Sequence, residues 1–236
     1  MFCFYFLNLL IFLNNINLIY SDKGIDISSP ANLEQTKCFK KNGYKSIYIR
    51  VWQSNNKFDG NSVNTIKNAR TAGIDNVDCY VFPCAKCINA SPKNIIETIL
   101  KNLKAKNVKC DRIWLDVEGP QYWKTNKQQN VDFIQGMVNE LKANKQKIGI
   151  YTSNAQWQPI TGGSTKFNDI PLWYPHYDNK ANFVDFKPFG GWKKPLIKQY
   201  DDNKKVCNVN ADLNFFLKEE SDLFNRYIFK YFMLKI

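Results

Sequence analysis

The sequence predicts an α/β fold, a barrel of mostly parallel strands whose second half is reduced. Short apolar runs alternate with stretches of helical periodicity from residue 24 onward, as they do in βαβ units. Eight such runs are present, which is the number of strands that closes an α/β barrel. After about residue 147 the helical stretches thin out and the strand candidates come closer together.

The elements follow from these runs in chain order. The third helical stretch is typical of the set: Ile95, Ile99 and Leu103 keep helical spacing, and Ser91-Pro92 supplies a cap and a proline where the helix should begin. Helices are predicted at about 30–42, 61–72, 92–107 and 127–145. Strands are predicted at 24–28, 46–52, 76–83, 112–118, 147–152, 171–177, 195–200 and 211–216.

Two carboxylates, Asp116 and Glu118, end the fourth apolar run at a spacing of i, i+2. Side chains alternate along a strand, so both project on the same side, with their Cα atoms about 6.6 Å apart. Two acids this close at the end of a buried strand repel each other and are poorly solvated, so one tends to keep its proton. A proton donor beside an anion is what glycosidic bond cleavage needs. A strand that ends in ordinary solvated acids would show the same spacing.

The barrel prediction favours the functional interpretation of these acids. Ligands of such barrels bind at the C-terminal ends of the strands. Asp26 lies near the end of the first predicted strand, and Asp212 lies in the last one. Four acids that converge on one rim are costly unless they are used or neutralised, so we expect Asp26, Asp116, Glu118 and Asp212 to form a site.

Composition and charge limit the class of partner. The chain has 236 residues, a formal charge of +12 and 15% aromatic residues, which favours encounter with anionic polymers and supplies flat side chains for sugar stacking. The sequence has no zinc-finger spacing, aromatic RNA-binding signature or run of Lys and Arg, so nucleic acid is not an expected partner. The positive charge is therefore expected to be scattered over the surface. Nucleotide and acyl-transfer motifs are also absent from the sequence.

The two chain ends differ from the rest. Residues 1–20 carry no charge and open with an apolar stretch typical of a signal peptide, with an uncleaved anchor as the alternative. An apolar stripe at helical spacing in 218–236 predicts an amphipathic helix that packs on the barrel or meets a membrane surface or a partner helix. The predicted domains are a signal peptide at 1–21, a catalytic barrel at 22–217 and a tail at 218–236. We therefore expect a protein that is secreted to the outside of the cell, or into a lysosomal or phagosomal lumen, without stable membrane insertion.

The cysteines fit an oxidising compartment. Without Cys3, six remain, and an even number behind a signal sequence predicts three disulfides with 15 possible connectivities. Cys84 and Cys87 could form a redox motif, but they do not precede a helix in a thioredoxin-like pattern, so a structural bridge is the better interpretation. A zinc site would need a second Cys pair or nearby histidines, and His176 is the single histidine. We therefore predict no metal and no cofactor.

Seven short motifs occur in a fixed order across about 190 residues. They are Gly24-Ile-Asp-Ile-Ser28, Tyr48-Ile-Arg50, Trp114-Leu-Asp-Val-Glu-Gly119, Ile148-Gly-Ile-Tyr-Thr-Ser153 with Trp157, Leu172-Trp173, Gln199-Tyr200 and Asp212-Leu-Asn214. In this order they resemble glycoside hydrolase family 25, the secreted lysozymes or N-acetylmuramidases. A lone DxE would be a weak signal, whereas the ordered set is specific.

The resemblance implies an incomplete TIM-like β/α barrel with about five βα units and three further strands. It implies hydrolysis of the β-1,4 bond between N-acetylmuramic acid and N-acetylglucosamine, with bacterial peptidoglycan as partner and a monomeric enzyme. Glu118 would be the general acid, and Asp116 would orient the substrate's acetamido group or stabilise the oxocarbenium ion. Asp26 and Asp212 would complete the acidic cluster. The i, i+2 spacing leaves the stereochemical course open, while the resemblance points to net retention assisted by the acetamido oxygen.

Six residues are predicted to contact the sugar. Core packing is an equally good explanation for each aromatic residue among them. The six are Arg50, Tyr151, Trp173, Tyr177, Gln199 and Tyr200. Two alternatives to a lysozyme remain: a chitinase-like hydrolase, although Trp114 stands where its DxxDxDxE motif requires the middle acid, and a catalytically silent peptidoglycan-binding protein.

Overall fold

A computed structural model describes residues 21–217. Lys23–Phe216 form one compact unit. The signal peptide predicted over 1–21, apart from Ser21, and the tail predicted over 218–236 lie outside the described residues. Within residues 21–217, none of the helices is both long enough and apolar enough to cross a membrane.

The described residues form nine strands, five α-helices and one 3₁₀ turn at Pro120–Tyr122. The strands are β1 Ser21–Ile27, β2 Tyr44–Gln53, β3 Lys57–Phe58, β4 Asn76–Val81, β5 Arg112–Asp116, β6 Lys147–Tyr151, β7 Leu172–Pro175, β8 Ile197–Val206 and β9 Val209–Leu217. The helices are α1 Leu33–Lys41, α2 Ser62–Thr71, α3 Pro92–Ala105, α4 Lys127–Ala143 and α5 Asn154–Thr161.

Eight of these strands close into a barrel. The order is β1-β9-β8-β7-β6-β5-β4-β2, and pairing of β1 with β2 completes the ring, while the two-residue β3 pairs antiparallel to the outer part of β2. Helices follow β1, β2, β4, β5 and β6, which makes five βα units, and β7, β8 and β9 are the three further strands. The predicted α/β barrel with a reduced second half is confirmed. The connection from β7 to the parallel strand β8 contains no helix, and β8 pairs antiparallel with β9.

Helix α5 was not assigned from the sequence. It has eight residues and carries Pro159, so it is shorter than the stretch over which helical periodicity separates from other patterns. The neighbouring helices are longer and capped as expected. Ser91 accepts a hydrogen bond from the Asn94 N–H at 3.3 Å at the start of α3, with Pro92 in its first turn.

The barrel interior is filled by aromatic rings. Trp173 lies at their centre, with ring centroids 4.7 Å from Tyr48 and Tyr151 and 5.6 Å from Trp114. These rings and Ile197 form a core separate from the larger one between strands and helices. Edge and tilted contacts of this kind hold large side chains in fixed orientations, so the interior forms a rigid floor below the C-terminal strand ends.

Three disulfides form among the six described cysteines, which confirms the predicted number. Cys38–Cys207 fastens α1 to the turn between β8 and β9 across a sequence separation of 169 residues. Closing so long a loop restricts the unfolded chain strongly. Cys79–Cys110 ties β4 to the segment that precedes β5, and Cys84–Cys87 closes a turn between β4 and α3.

Gly149 on β6 is expected to be indispensable for packing. A Cβ at this position would lie 2.1 Å from Cε3 of Trp114, whose ring is fully buried and donates from Nε1 to Asp78 at 2.8 Å. Gly149→Ala should therefore lower the free energy of unfolding by about 3 kcal/mol through overpacking. Urea denaturation measures this change. Gly60→Ala is the control, because its Cβ meets nothing within 4 Å. Equal stability of the two variants would contradict the packing argument.

Candidate active site

The structure brings all four predicted acids together at the C-terminal mouth of the barrel. Asp26 lies on β1, Asp116 ends β5, Glu118 follows two residues later, and Asp212 lies on β9. Asp26 interacts electrostatically with Asp212 and Glu118, and Asp116 interacts with Glu118 and Asp26. We call these four residues the acid cluster.

The backbone around Glu118 is held on both sides, although strand β5 ends at Asp116. The Val117 N–H donates to the Tyr151 carbonyl at 2.8 Å, and the Thr152 hydroxyl donates to the Val117 carbonyl at 2.7 Å. The Trp123 indole N–H donates to the Glu118 carbonyl at 2.9 Å. Glu118 is therefore positioned by β6 and by the turn that follows it, with little backbone freedom left.

Gly119 makes the turn after Glu118 possible. Its φ of 63° lies in the left-handed region, and a Cβ there would approach the Tyr122 ring to 2.8 Å. Its N–H donates to Oε1 of Gln156 on α5 at 2.9 Å. The short helix that the sequence did not reveal thus helps to fix the general-acid candidate.

Asp26 is buried and held by two side-chain amides. Gln199 Nε2 and Asn214 Nδ2 donate to its Oδ2 at 2.9 and 2.7 Å. Burial raises the pKa of Asp26 to about 7, and the charges of Asp212 and Glu118 act in the same direction, while the two amide hydrogen bonds oppose the shift. The carboxyl group therefore changes charge close to neutral pH.

Gln199 connects the two halves of the acid cluster. Its Nε2 also donates to Asp212 Oδ2 at 3.1 Å, and its Oε1 accepts from the hydroxyls of Tyr151 and Tyr177 at 2.7 and 2.9 Å. The side chain is 3% exposed. Both amide hydrogens and both carbonyl lone pairs of Gln199 are thus engaged by other side chains. Gln199 is therefore placed to orient these side chains and not to bind a sugar directly.

Asp116 and Glu118 differ in environment. Asp116 is buried, and its Oδ1 has no hydrogen-bond partner in the described part of the chain. Burial, then the charges of Glu118 and Asp26, raise the pKa of Asp116 well above its usual range, while Arg50 opposes the shift. Burial and the charge of Asp212 also raise the pKa of Glu118, which is only half-buried. Glu118 therefore combines access from solvent with a raised pKa, the combination that a proton donor needs.

Four of the predicted sugar contacts separate into two pairs. Arg50 and Tyr177 lie at the mouth: Arg50 pairs with Asp59 at 3.1 Å, and Tyr177 is 49% exposed. Tyr151 and Trp173 are buried, and Trp173 donates from Nε1 to Asn214 Oδ1 at 2.8 Å, so both support the acid cluster from below. Their rings are core, which leaves Arg50 and Tyr177 as the accessible candidates.

Tyr200 does not join the acid cluster. Side chains alternate along β8, so Tyr200 faces away from the barrel interior that Gln199 enters. Burial raises the pKa of Tyr200, and its electrostatic neighbours are Tyr44 and Asp201, with no member of the acid cluster among them. The prediction that Tyr200 contacts sugar therefore finds no support in its position.

Asn214 is a site residue that sequence reasoning did not select. It donates to Asp26 and accepts from Trp173, so it joins the aromatic floor to the acid cluster. The signal was present in the sequence, because Asn214 follows Asp212 at i+2 on a strand and must share its face. Half-buried Tyr80 was also missed. Burial, then the charges of Asp26 and Asp116, raise the pKa of its hydroxyl.

His176 lies outside the acid cluster. Its Nδ1 is 2.5 Å from Asp185 Oδ2, and together with Asp178 these residues place ligand atoms within 4.8 Å of one another. The fully buried ammonium of Lys198 already lies 2.6 Å from Asp185 and 2.8 Å from Asp178. Lys198 thus supplies the positive charge that a metal ion would otherwise bring, and the group fastens the loop after β7 to β8.

The buried carboxyl group of Asp26 should lower the free energy of unfolding at neutral and alkaline pH. Its folded pKa is raised from 3.8 to about 7, so between these values the folded chain retains a proton that the unfolded chain has released. Raising the pH through this window therefore favours unfolding. Asp26→Asn should unfold with a free energy roughly 2–4 kcal/mol higher than wild type at pH 8, with the difference vanishing near pH 4. Denaturant melts at several pH values measure it.

Asp132→Asn provides the matched control, because this aspartate is exposed on α4. It should leave the pH dependence of unfolding as in wild type. A pH dependence of Asp26→Asn identical to that of wild type would show that Asp26 titrates alike in the folded and unfolded chains.

A closed eight-stranded barrel with clustered carboxylates at its C-terminal mouth is the arrangement of a glycoside hydrolase. Residues 17–200 match the family model described as Lysozyme-like protein 1. Probable GH family 25 lysozyme 2 of Dictyostelium discoideum is 43% identical over 201 residues, which cover 85% of this chain and 93% of that protein. Lysozyme-like protein 5 of Caenorhabditis elegans is 37% identical over 213 residues, with coverage of 89% and 98%. The chain belongs to glycoside hydrolase family 25, and the resemblance inferred from its motifs is confirmed.

Solved structures agree on the fold. The family GH25 lysozyme from Aspergillus fumigatus superposes with a TM-score of 0.70 at 23% sequence identity, covering 86% of this chain and 97% of that one. The bacterial lysozyme from Streptomyces coelicolor gives a TM-score of 0.67 at 22% identity, with coverage of 86% and 94%. Their identities are low, so they support the barrel architecture independently of the sequence matches.

Proposed function

We propose that this protein is a secreted muramidase that hydrolyses the β-1,4 bond between N-acetylmuramic acid and N-acetylglucosamine in bacterial peptidoglycan, with Glu118 as general acid. The observation that carries the proposal is the pairing of Glu118 with Asp116 at the mouth of the barrel. One carboxyl group is accessible and has a raised pKa, and the other is buried beside it. The names of the curated relatives support this substrate class.

In the proposed reaction Glu118 gives its proton to the glycosidic oxygen as the bond from that oxygen to C1 breaks. The acetamido oxygen of the same sugar bonds to C1 and holds the developing positive charge, and Asp116 orients that acetamido group. The unpartnered Oδ1 of Asp116 supports this role, because a buried oxygen without a hydrogen bond is poised to accept one from substrate. Glu118, now ionised, takes a proton from the water that attacks C1 as the bond from C1 to the acetamido oxygen breaks, and the two displacements give net retention.

The accessible rim supplies the proposed substrate contacts. Tyr177 offers an exposed ring for stacking on a sugar, and its hydroxyl is fixed by Gln199 at 2.9 Å. Arg50 donates from Nε to Asp59 Oδ2 and from Nη2 to the Ser28 carbonyl, both at 3.1 Å. Its guanidinium group is therefore positioned before substrate binds. Both flank the acid cluster and are the first residues to test for sugar binding.

A chitinase-like activity is disfavoured by Trp114. This residue occupies the position where the chitinase motif requires its middle acid, and its indole is fully buried and bonded to Asp78. A silent wall-binding protein is disfavoured by the acid cluster itself. Burying the ionised carboxyl group of Asp26 costs free energy. Catalysis accounts for such a cost, whereas binding alone does not require a buried acid.

Product analysis tests the proposal. Purified peptidoglycan is digested, the new reducing ends are reduced with borohydride, and the labelled sugars are identified after acid hydrolysis. A muramidase yields reduced muramic acid. Reduced glucosamine would overturn the assigned bond, and wall binding without any new reducing end would leave the silent binder as the correct interpretation.

Secretion is supported by the three disulfides and by the apolar segment at 1–20. Expression of the full chain in a eukaryotic host should release protein into the medium with an N-terminus near residue 22. Retention of the intact chain in the membrane fraction would instead support the uncleaved anchor.

A further inference from the structure

Six exposed lysines cluster at the N-terminal end of the barrel, opposite the acid cluster. They lie in the last turns of α3 and α4, in the segments that lead into β5 and β6, and at the first residue of β6. These strands are neighbours, with Arg112 paired to Lys147, so the two segments are adjacent. We call this surface the basic face, and it consists of Lys104, Lys106, Lys109, Lys142, Lys145 and Lys147.

The ammonium groups of the basic face have no ion-pair partner among residues 21–217. Five lysines elsewhere among these residues do have such a partner: Lys37, Lys40, Lys93, Lys198 and Lys204. Two acids lie close to the basic face in the sequence. Asp111 is already paired with Arg70 at 2.8 Å, and half-buried Glu140 lies one turn before the end of α4. The positive charge of this surface is therefore largely uncompensated.

Helix stabilisation explains only part of the cluster. Lys104 and Lys142 occupy the last turns of their helices, where a cation offsets the negative end of the helix dipole. Lys109 and Lys147 lie beyond the helix ends, outside the last turn over which that effect acts. The charge on this surface exceeds what the helices need.

The basic face also surrounds a depression. A cavity of about 470 Å³ opens between the ends of α3 and α4, with Lys104 and Lys109 on its rim. Asn107, Asn144 and Gln146 line it together with Leu100, Leu103 and Val108, and the amides of Asn144 and Gln146 donate to backbone carbonyls. The two ammonium groups at the rim suit oxygen-rich anions, and cationic concavities concentrate anionic ligands.

We propose that the basic face binds the phosphodiester polymers attached to bacterial walls. The choice of a wall polymer rests on the proposed function, and charge complementarity supports it. An anionic membrane fits less well, because the large exposed apolar side chains among the described residues are Ile88, Tyr177 and Val184, and none of them lies on the basic face. The acid cluster repels a polyanion, so binding at the opposite end leaves the mouth of the barrel to the glycan strand.

The test compares two variants of equal charge. One replaces four lysines of the basic face by glutamine, at Lys104, Lys106, Lys109 and Lys147. The control replaces four exposed lysines elsewhere, at Lys67, Lys180, Lys187 and Lys205. Binding to a lipid-free glycerol phosphate polymer is measured by fluorescence anisotropy at several salt concentrations, with phosphatidylglycerol vesicles and duplex DNA as parallel probes.

We expect the basic-face variant to bind the polymer at least about tenfold more weakly than the control, with a smaller salt dependence. Cleavage of a short, soluble glycan should be the same for both variants. Equal weakening of both variants would overturn the proposal, because net charge alone would then explain binding. A preference for vesicles or DNA over the polymer would overturn it in favour of that partner. Binding is measured without turnover, so absence of muramidase activity is a separate outcome.

Discussion

Glu118→Gln is expected to lower kcat on peptidoglycan by about 10³-fold. Glutamine preserves the size of the side chain and its hydrogen bonding but cannot transfer a proton to the glycosidic oxygen. Since the backbone of Glu118 is held by Tyr151, Thr152 and Trp123, the substitution should leave the fold intact. Binding to walls should persist, so the loss appears in kcat rather than in KM.

The pH profile gives this prediction a second readout. A general acid acts while protonated, so the rate falls as pH rises through its pKa. Burial and Asp212 raise the pKa of Glu118, so the wild-type enzyme should stay active to higher pH than an ordinary glutamate would allow. Glu97→Gln, at an exposed position of α3, is the matched control and should retain full activity. Wild-type turnover in Glu118→Gln would remove Glu118 from the mechanism.

Gln199→Met should reduce kcat/KM by about 10²-fold although it removes no charge, because Gln199 orients four other side chains. The variant deprives Asp26 and Asp212 of a donor and removes the oxygen that Gln199 offers to the hydroxyls of Tyr151 and Tyr177. The hydrogen bond from Gln199 lowers the pKa of Asp26, so its loss should raise that pKa further. The part of the pH–rate profile governed by Asp26 should therefore move to higher pH.

A merely structural role for Gln199 would lower activity without moving the pH profile. Gln128→Met is the control, because Gln128 is exposed on α4 and bonds only to Asp132 among the described residues. The two variants should differ in the pH dependence of kcat/KM and in KM for soluble glycans. An unshifted profile in Gln199→Met, with folding intact by circular dichroism, would rule out control of Asp26 by Gln199.

Much of the barrel could be predicted because its rules are local. Apolar runs and helical spacing place the strands and the four longer helices, and strand polarity then places Asp26 and Asp116 at the same end. The i, i+2 spacing puts Asp116 and Glu118 on one side of the chain without reference to any other element. Helix α5 was not predicted, because eight residues with an internal proline carry too little periodicity.

The roles of Trp173, Gln199 and Tyr200 could not be predicted in the same way. An aromatic residue at a strand end satisfies the pattern for sugar stacking and for core packing alike, and only burial separates Trp173 in the floor from Tyr177 at the mouth. Gln199 reaches Asp26 across 173 positions of sequence, a distance over which no local pattern operates. Tyr200 is adjacent to Gln199, yet strand alternation sends it to the other face.

The sequence by itself determined the family, the barrel and the four acids, because motif order, apolar periodicity and strand alternation are properties of consecutive residues. The tertiary structure alone decided which amides hold those acids, which aromatic rings are accessible and where the lysines gather. Each of these depends on segments far apart in the chain that the closed sheet brings together. Burial and electrostatic coupling, which set the pKa of Asp26 and of Glu118, exist only after that closure.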